Sequence, residues 1–474
     1  MPIVPITLPT GSRPGREGPD GAVRLINCQA ESAGRAGEIP FPIYAVAGLK
    51  EFGDVGNGPC RGLFPLDATL YDVSERQVFP VDVTGTEDAA LGGFPGDSTV
   101  YIDRNQKTTP QVGLVSEGIR KAIESGIMSD ISDVDLPPPN SLVVIDGYAI
   151  FGQNNGRYYI SSQNEMTAIA ALDFATAESS PDGLNRVFRR GRELLLVGEE
   201  TIEAWTNTGA SFPFERLSVP PMEFGILAPA SAAIVEENFT WLAHDGTVRM
   251  AGGYNAQRIS NHAVERSIND EADKAAIEAF SYSLEGHTYY VLSGDNFTWV
   301  FDFTLAREIG AQDAWHERQS NALDRWRARQ FARFAEKNIC GDSVNGKLYE
   351  IDPDTHDEGG EHLTMTLRFP IEQYPNKIRV NALYVDIIPG QGLDSSDAHV
   401  SDPKIMLRLS RDGGITWGNE MTRDIGGIGE RRAVAPFIQL GIFDRMGAVA
   451  EIKVSAAIVR GISGMSANVD LLGT

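Results

Sequence analysis

The chain has 474 residues, of which 42% are hydrophobic and 22% charged, an ordinary globular composition with enough apolar mass for a large core. Its formal net charge of −24 argues against general wrapping of nucleic acid, which needs Lys and Arg to neutralise phosphates; on composition alone it reads as solubility, and the alternative is a surface that repels DNA sliding past it. The 49 Gly and 26 Pro favour many short strands over long helices, the widely spaced Cys28, Cys60 and Cys340 read as free thiols of a reducing compartment, and no apolar run approaches the roughly 20 residues that span a bilayer.

Residues 1–60 read as an extended N-terminal arm with the first strands. "GSRPGREGPDG" is too rich in Gly and Pro for regular structure, whereas "AVRLINCQAE" and "FPIYAVAGLKEF" each supply a strand. The N-terminus lacks the apolar stretch of a secretory signal. From Arg61 a unit recurs: an apolar strand, a tight turn, a second apolar strand, a turn, and a third strand. Clear versions occupy 141–161, 185–206, 232–253, 281–303 and 333–352, and a weaker one occupies 61–82. Their turns carry "DG", "NNG", "EG", "GD" and "NG", pairs that tolerate the positive φ of a short hairpin. Repeats of several strands each signal β-propeller blades, which bury their faces against one another. The expected fold is therefore all-β, with a propeller of about six blades over 61–365. Helical spacing is confined to 113–127 and 262–282, read as short insertions, and "DLPPPNS" is a rigid polyproline connector. Past about residue 366 the strands lengthen and alternate with period two, which predicts a C-terminal β-sandwich over 366–474.

"LSRDGGITWG" (409–418) matches the Asp-box pattern S-x-D-x-G-x-T-W, common in sialidases and other propeller glycosidases. Its physics is local. Asp412 accepts backbone N–H bonds within the loop, and Gly414, like Gly413, permits unusual φ. Ser410 and Thr416 add hydroxyls, and Trp417 covers the hairpin. A sialidase has several boxes, one per blade, together with an arginine cluster and a nucleophile. This chain has one box, outside the recurring units, so the box is read as a hairpin staple with no catalytic residue.

Two further stretches concentrate chemistry. "ALDRWRARQFARF" (322–334) interleaves Arg325, Arg327, Arg329 and Arg333 with Trp326 and two Phe. Such a stretch binds single-stranded nucleic acid or forms a subunit contact, and the acidic balance of the chain favours the contact. "DPDTHDEGGEH" (352–362) collects five acids and two His. Its spacing departs from a calcium loop, so it reads as a solvated linker, and no metal or cofactor is assigned. His244, His287 and His316 stand singly and read as structural.

The blade sequences, taken in order, resemble the packaged-DNA stabilisation proteins of short-tailed phages, also called tail accessory, hub or nozzle proteins. The resemblance is carried by "RLINCQAE", "IDGYAIFGQNNGRYYIS", "ALDFATAESSPDGL", "GEETIEAWTNTG", "FPFERL", "QRISNHAVE", "EGHTYYVL", "TWVFDF", "WHER", "GDSVNGKLYEID" and the late "MLRLSRDGGITWG". It implies a structural, non-enzymatic role in the virion tail after assembly in the host cytoplasm. The implied partners are further copies of the chain in a homo-hexamer, a portal adaptor (head-to-tail connector), and tail needle, spike or fibre proteins, with DNA only passing through the channel. The rival readings are a sialidase-like glycan-processing enzyme and a monomeric propeller that binds a receptor.

Overall fold

The hairpin turns legible in the sequence set the architecture. Asp146 and Gly147 both have positive φ (51° and 86°), as do Glu285 and Gly286 (49° and 85°), the geometry of the tight hairpins their sequences demand. In the computed structural model, residues 3–15, 21–32, 41–177, 182–371, 377–427, 429–430, 434–444 and 448–472 are described. Part of "GSRPGREGPDG" and of "ALDFATAESSPDGL" lies outside them.

Among the described residues, seven four-stranded units follow one another as blades. Their innermost strands are Cys60–Leu66, Tyr101–Arg104, Ser141–Ile145, Leu184–Arg190, Ala233–Val235, Glu278–Leu284 and Ala328–Phe334. In blades 1 to 6 the remaining strands step outward in chain order. Each junction between neighbours holds its own apolar cluster. Tyr71 and Val73 of blade 1 meet Val112 and Leu114 of blade 2, and Phe334 and Ile339 of blade 7 return to Leu63 and Phe79 of blade 1. The ring of blades is thus closed. Blade 7 is completed from elsewhere: its fourth strand is Gly48–Asp54, paired antiparallel to Lys347–Asp352.

The fold is all-β with few, short helices, a propeller and a sandwich, as the sequence led us to expect, and the blade count resolves to seven. The six recognised units fall on blades 1 and 3 to 7. Blade 2 occupies 101–130, where helical spacing is misleading. Residues 113–127 instead belong to the strands Gln111–Ser116, Ile119–Glu124 and Ile127–Asp130. The turns between them, Glu117–Gly118 and Ser125–Gly126, have all four φ positive, which a helix cannot accommodate. The second helical stretch holds a true helix, His262–Asp270, capped by Asn261, then a short 3-10 turn, before 278 enters a strand.

The sandwich draws on both ends of the chain. One sheet orders Cys28–Ala30, Ile43–Ala45, Gly461–Leu471, Ile378–Ile387 and Val434–Phe443, with Ile3–Pro5 also on Gly461–Leu471. The other orders Ala22–Ile26, Met365–Ile371, Ala448–Val454, Lys404–Ser410 and Met421–Asp424. This second sheet runs on into blade 6, because Ile26 pairs in parallel with Glu317 of its last strand. "AVRLINCQAE" therefore supplies two strands, one to each sheet. Between them Asn27 takes a φ of +54°, and its side-chain amide donates to the carbonyls of Gln319 (2.8 Å) and Thr364 (3.0 Å). The sandwich core and the junction of blades 5 and 6 form one continuous apolar cluster that includes Leu25, Leu367, Trp299 and Trp315.

Candidate functional site

The Asp-box occupies the connection between Lys404–Ser410 and Met421–Asp424, on the sandwich sheet that joins the propeller. Gly413 and Gly414 take φ of 76° and 98°, which turns the loop back on Asp412. The Asp412 carboxylate accepts from the backbone N–H of Thr416 (2.8 Å) and Ile415 (3.1 Å) and from the hydroxyls of Ser410 (2.7 Å) and Thr416 (2.5 Å). Ser410 in turn accepts from Gly414 N–H at 2.8 Å. The Thr416 hydroxyl and N–H, with Ser410, hold the Asp412 carboxyl down at about 2, because every donor favours the charged form. These bonds of the carboxylate stay inside the loop. Trp417 lies under the guanidinium groups of Arg408 (4.8 Å) and Arg368 (5.2 Å).

The arginine stretch expected to offer a subunit contact is largely turned inward. Trp326 is fully buried; its indole N–H donates to Glu358 at 2.8 Å, and Arg318 stacks on its ring at 3.7 Å. Arg325 and Arg329 both bind Glu278 of blade 6, at 3.1 and 2.9 Å. Burial works to raise the Glu278 pKa, but the two guanidinium groups outweigh it, so the carboxyl lies below its ordinary value. Arg327 donates to the Tyr349 hydroxyl at 3.1 Å. The contact expectation is corrected for these four side chains, whose partners lie within the same chain: Arg325 and Arg329 reach across the blade 6–7 junction to Glu278, whereas Arg327 and Trp326 bind Tyr349 and Glu358 of the sheet of blade 7 itself. Arg333 alone of the five is exposed, and it donates to Asn338 at 3.0 Å.

The acidic stretch 352–362 does not converge either. Glu358 is buried against Trp326 while Glu361 and His362 are exposed. Among the described residues no group of three His, Cys, Asp or Glu is placed to hold a metal ion. The single histidines find partners within the chain. His287 lies 2.7 Å from the buried Asp302, which raises its pKa, and burial pulls His316 down to about 3.

The feature that sequence reasoning missed is the propeller axis. On the face where the innermost strands begin there is a cavity of about 720 Å³, with walls from Asp97–Thr99, Pro138–Asn140, Asn185, Pro229, Ala275 and Arg329. The polyproline connector thus helps to form its rim. Arg186 of blade 4 stacks on Tyr101 of blade 2 at 4.5 Å and donates to the carbonyl of Pro229, at the entry to blade 5, at 2.6 Å. A side chain that links these blades must reach across the axial space. Deeper along the same strand, Arg189 donates to the Val144 carbonyl (2.9 Å) and lies 3.6 Å from Asp103, so blades 2, 3 and 4 are tied together. The readable signal was there: "NRVFRRGR" puts four arginines at the start of a unit whose first strand the repeat places innermost.

Comparison with solved structures finds matches at low identity. A computationally designed protein, Ika8, is 12% identical, with 73% of this chain and 99% of that chain covered and a TM-score of 0.37. The WD40 β-propeller domain of Doa1 is 12% identical, with 65% and 96% covered and a TM-score of 0.39. BBS1N, solved in complex with ARL6DN, is 9% identical, with 65% and 98% covered and a TM-score of 0.41. No curated protein matches the chain. The model of one protein family, described as Bacteriophage P22 Gp10, beta-propeller, matches residues 38–356. That span runs from before the strand that closes blade 7 to just past blade 7 itself, and the chain accordingly belongs to this family of phage packaged-DNA stabilisation proteins.

Proposed function

We propose that this phage structural protein is a subunit of the tail nozzle. Six copies form a ring below the portal and its adaptor, extend the DNA exit channel, retain the packaged genome and anchor a needle, spike or fibres. The family match over 38–356 carries the reading. Two physical features support it. The axial space is only as large as a small-molecule pocket and is crossed by Arg186, so a duplex has no path through one propeller. A DNA channel must then lie between copies. The net charge of −24 gives such a channel walls that repel phosphate. The chain acts without catalysis, and the Asp-box serves as a hairpin staple, since its carboxylate is occupied by its own loop.

The test is assembly. Purified chain, alone and mixed with the adaptor, is examined by light scattering and negative-stain imaging. The expected result is a six-fold ring. A stable monomer that never joins adaptor or portal, or turnover on a glycan panel lost with one carboxylate, overturns the reading.

A further inference from the structure

The outer face of the sandwich sheet that joins blade 6 carries a charged row. In register across four strands stand Arg24, Arg368, Glu451 and Arg408. Arg24 is matched by Glu317. Arg368, Arg408 and Lys453 all converge on the single carboxylate of Glu451, whose side chain is fully buried while the three cations keep 24%, 29% and 31% of their surface. Three cations on one carboxylate leave a local excess of two positive charges, on a chain whose total is −24. Beside the row, the Asp-box holds Trp417 half-buried against the two arginines and projects Ile415, 82% exposed, from its tip. Arg and Trp beside an exposed aliphatic is the composition of an interface centre.

At the far end of the strand Lys404–Ser410 lies a loop of opposite character. In "GLDSSDAHVSD", Leu393 is 49% exposed, and Asp394, Ser395, Ser396 and Asp397 are all exposed. A strand of seven residues separates the two features by about 20 Å.

We propose that the row formed by Arg368, Arg408 and Lys453, with Trp417 and Ile415, docks the Leu393–Asp397 loop of a second copy of this chain. The proposal rests on the ring reading and names a surface for it. Charge selects the occupant: a cationic excess meets acids, and Leu393 supplies the apolar contact for Ile415 and Trp417. Nucleic acid fits poorly. Tight binding to phosphates draws on about 6–10 contacts, far more than an excess of two charges offers, and the rest of the chain repels it. Because loop and row occupy opposite ends of one strand, about 20 Å apart, each copy gives one and receives the other. Such a heterologous contact closes into a ring or runs on as a filament.

The experiment measures self-association of the full chain by sedimentation and light scattering, with and without adaptor, at two salt concentrations. Asp394→Lys, on an exposed residue, is expected to weaken association about tenfold or more, and the wild-type association is expected to weaken with salt. Lys453→Glu should do the same, and the two changes combined should restore much of the loss, which a merely misfolded variant cannot do. Near-ultraviolet circular dichroism confirms that each variant is folded. Wild type that assembles while Asp394→Lys and Lys453→Glu assemble equally well overturns this surface and leaves the ring standing. Wild type that stays monomeric with adaptor overturns both. Binding of a short DNA duplex lost in Lys453→Glu, with association unchanged, assigns the face to nucleic acid and overturns the proposal.

Discussion

The propeller and the sandwich are both built from antiparallel strands, yet they are assembled by opposite means. In the propeller most pairing is between consecutive strands, such as Ile145 with Tyr148 across a two-residue turn. In the sandwich each sheet also depends on pairs between the two ends of the chain: Val4 with Ala467, and Arg24 with Arg368. Local pairing needs little loop-closure entropy and leaves a turn signature, whereas distant pairing leaves neither. The junction between the two regions is no linker, since one sheet and one apolar cluster run through it.

The largest expected effect comes from cutting the shared N-terminal segment at two places. Removing residues 1–45 takes strands from both sandwich sheets and leaves Gly48–Asp54 to close blade 7. Residues 365–472 should then become protease-sensitive, while blades 1 to 4 keep their slow hydrogen exchange. Removing 1–54 should in addition open blade 7. If the two truncations behave alike, the division of labour within the segment is wrong.

A second test acts inside the propeller. Glu278→Ala leaves Arg325 and Arg329 unpaired in a buried site and should destabilise by about 3–5 kcal/mol in denaturant unfolding. No change would mean that the clamp between blades 6 and 7 holds nothing.

Acid should pull the two regions apart. Burial lifts the Asp72 carboxyl of blade 1 from 3.8 to about 7. The folded state holds a proton that the unfolded chain releases, so this stabilisation is complete below about pH 4 and is lost as pH rises through 7. Asp412 runs the other way. With its carboxyl held at about 2, its contribution is present above 3.8 and is lost as pH falls through 2. Hydrogen exchange should therefore show blade 1 more protected at pH 6 than at pH 8, and Asp72→Asn should remove the difference. The smallest effect is that of Asp412→Ala, confined to faster exchange in 410–424 with the blades unchanged. Faster exchange across the blades would show that the box props up more than its own hairpin.

Legibility followed the same divide. The six recognised units each carry a strand–turn–strand signature within about 20 residues. Blade 2 carries one too, but Val115, Ile119, Ile123 and Ile127 recur every four residues and imitate a helix face, and only the turns at Gly118 and Gly126 betray it. The Asp-box was readable because the bonds of its carboxylate fall within seven residues. The inward turn of Trp326 and the bridge from Arg186 were not, because Glu358, Tyr101 and Pro229 lie 32 to 85 positions away and no local pattern announces them. Nor does any period tell that "FPIYAVAGLKEF" splits between Ile43–Ala45 in the sandwich and Gly48–Asp54 in the propeller.

The borrowed strand of blade 7 also sets a clock. On the ribosome, Gly48–Asp54 emerges nearly 300 residues before its partner Lys347–Asp352. At about 5–20 residues per second, that is a wait of roughly 15–60 s with an unpaired strand edge exposed. Ile3–Pro5 waits longer still, for Gly461–Leu471. Blades 1 to 6 have the local partners to form as they are made, so the nascent chain spends this time as an open arc of blades with a sticky leading end. A crowd of such arcs on neighbouring ribosomes is the state most exposed to mispairing between chains, and yield in expression should respond to translation rate more strongly than the stability of the finished fold would suggest.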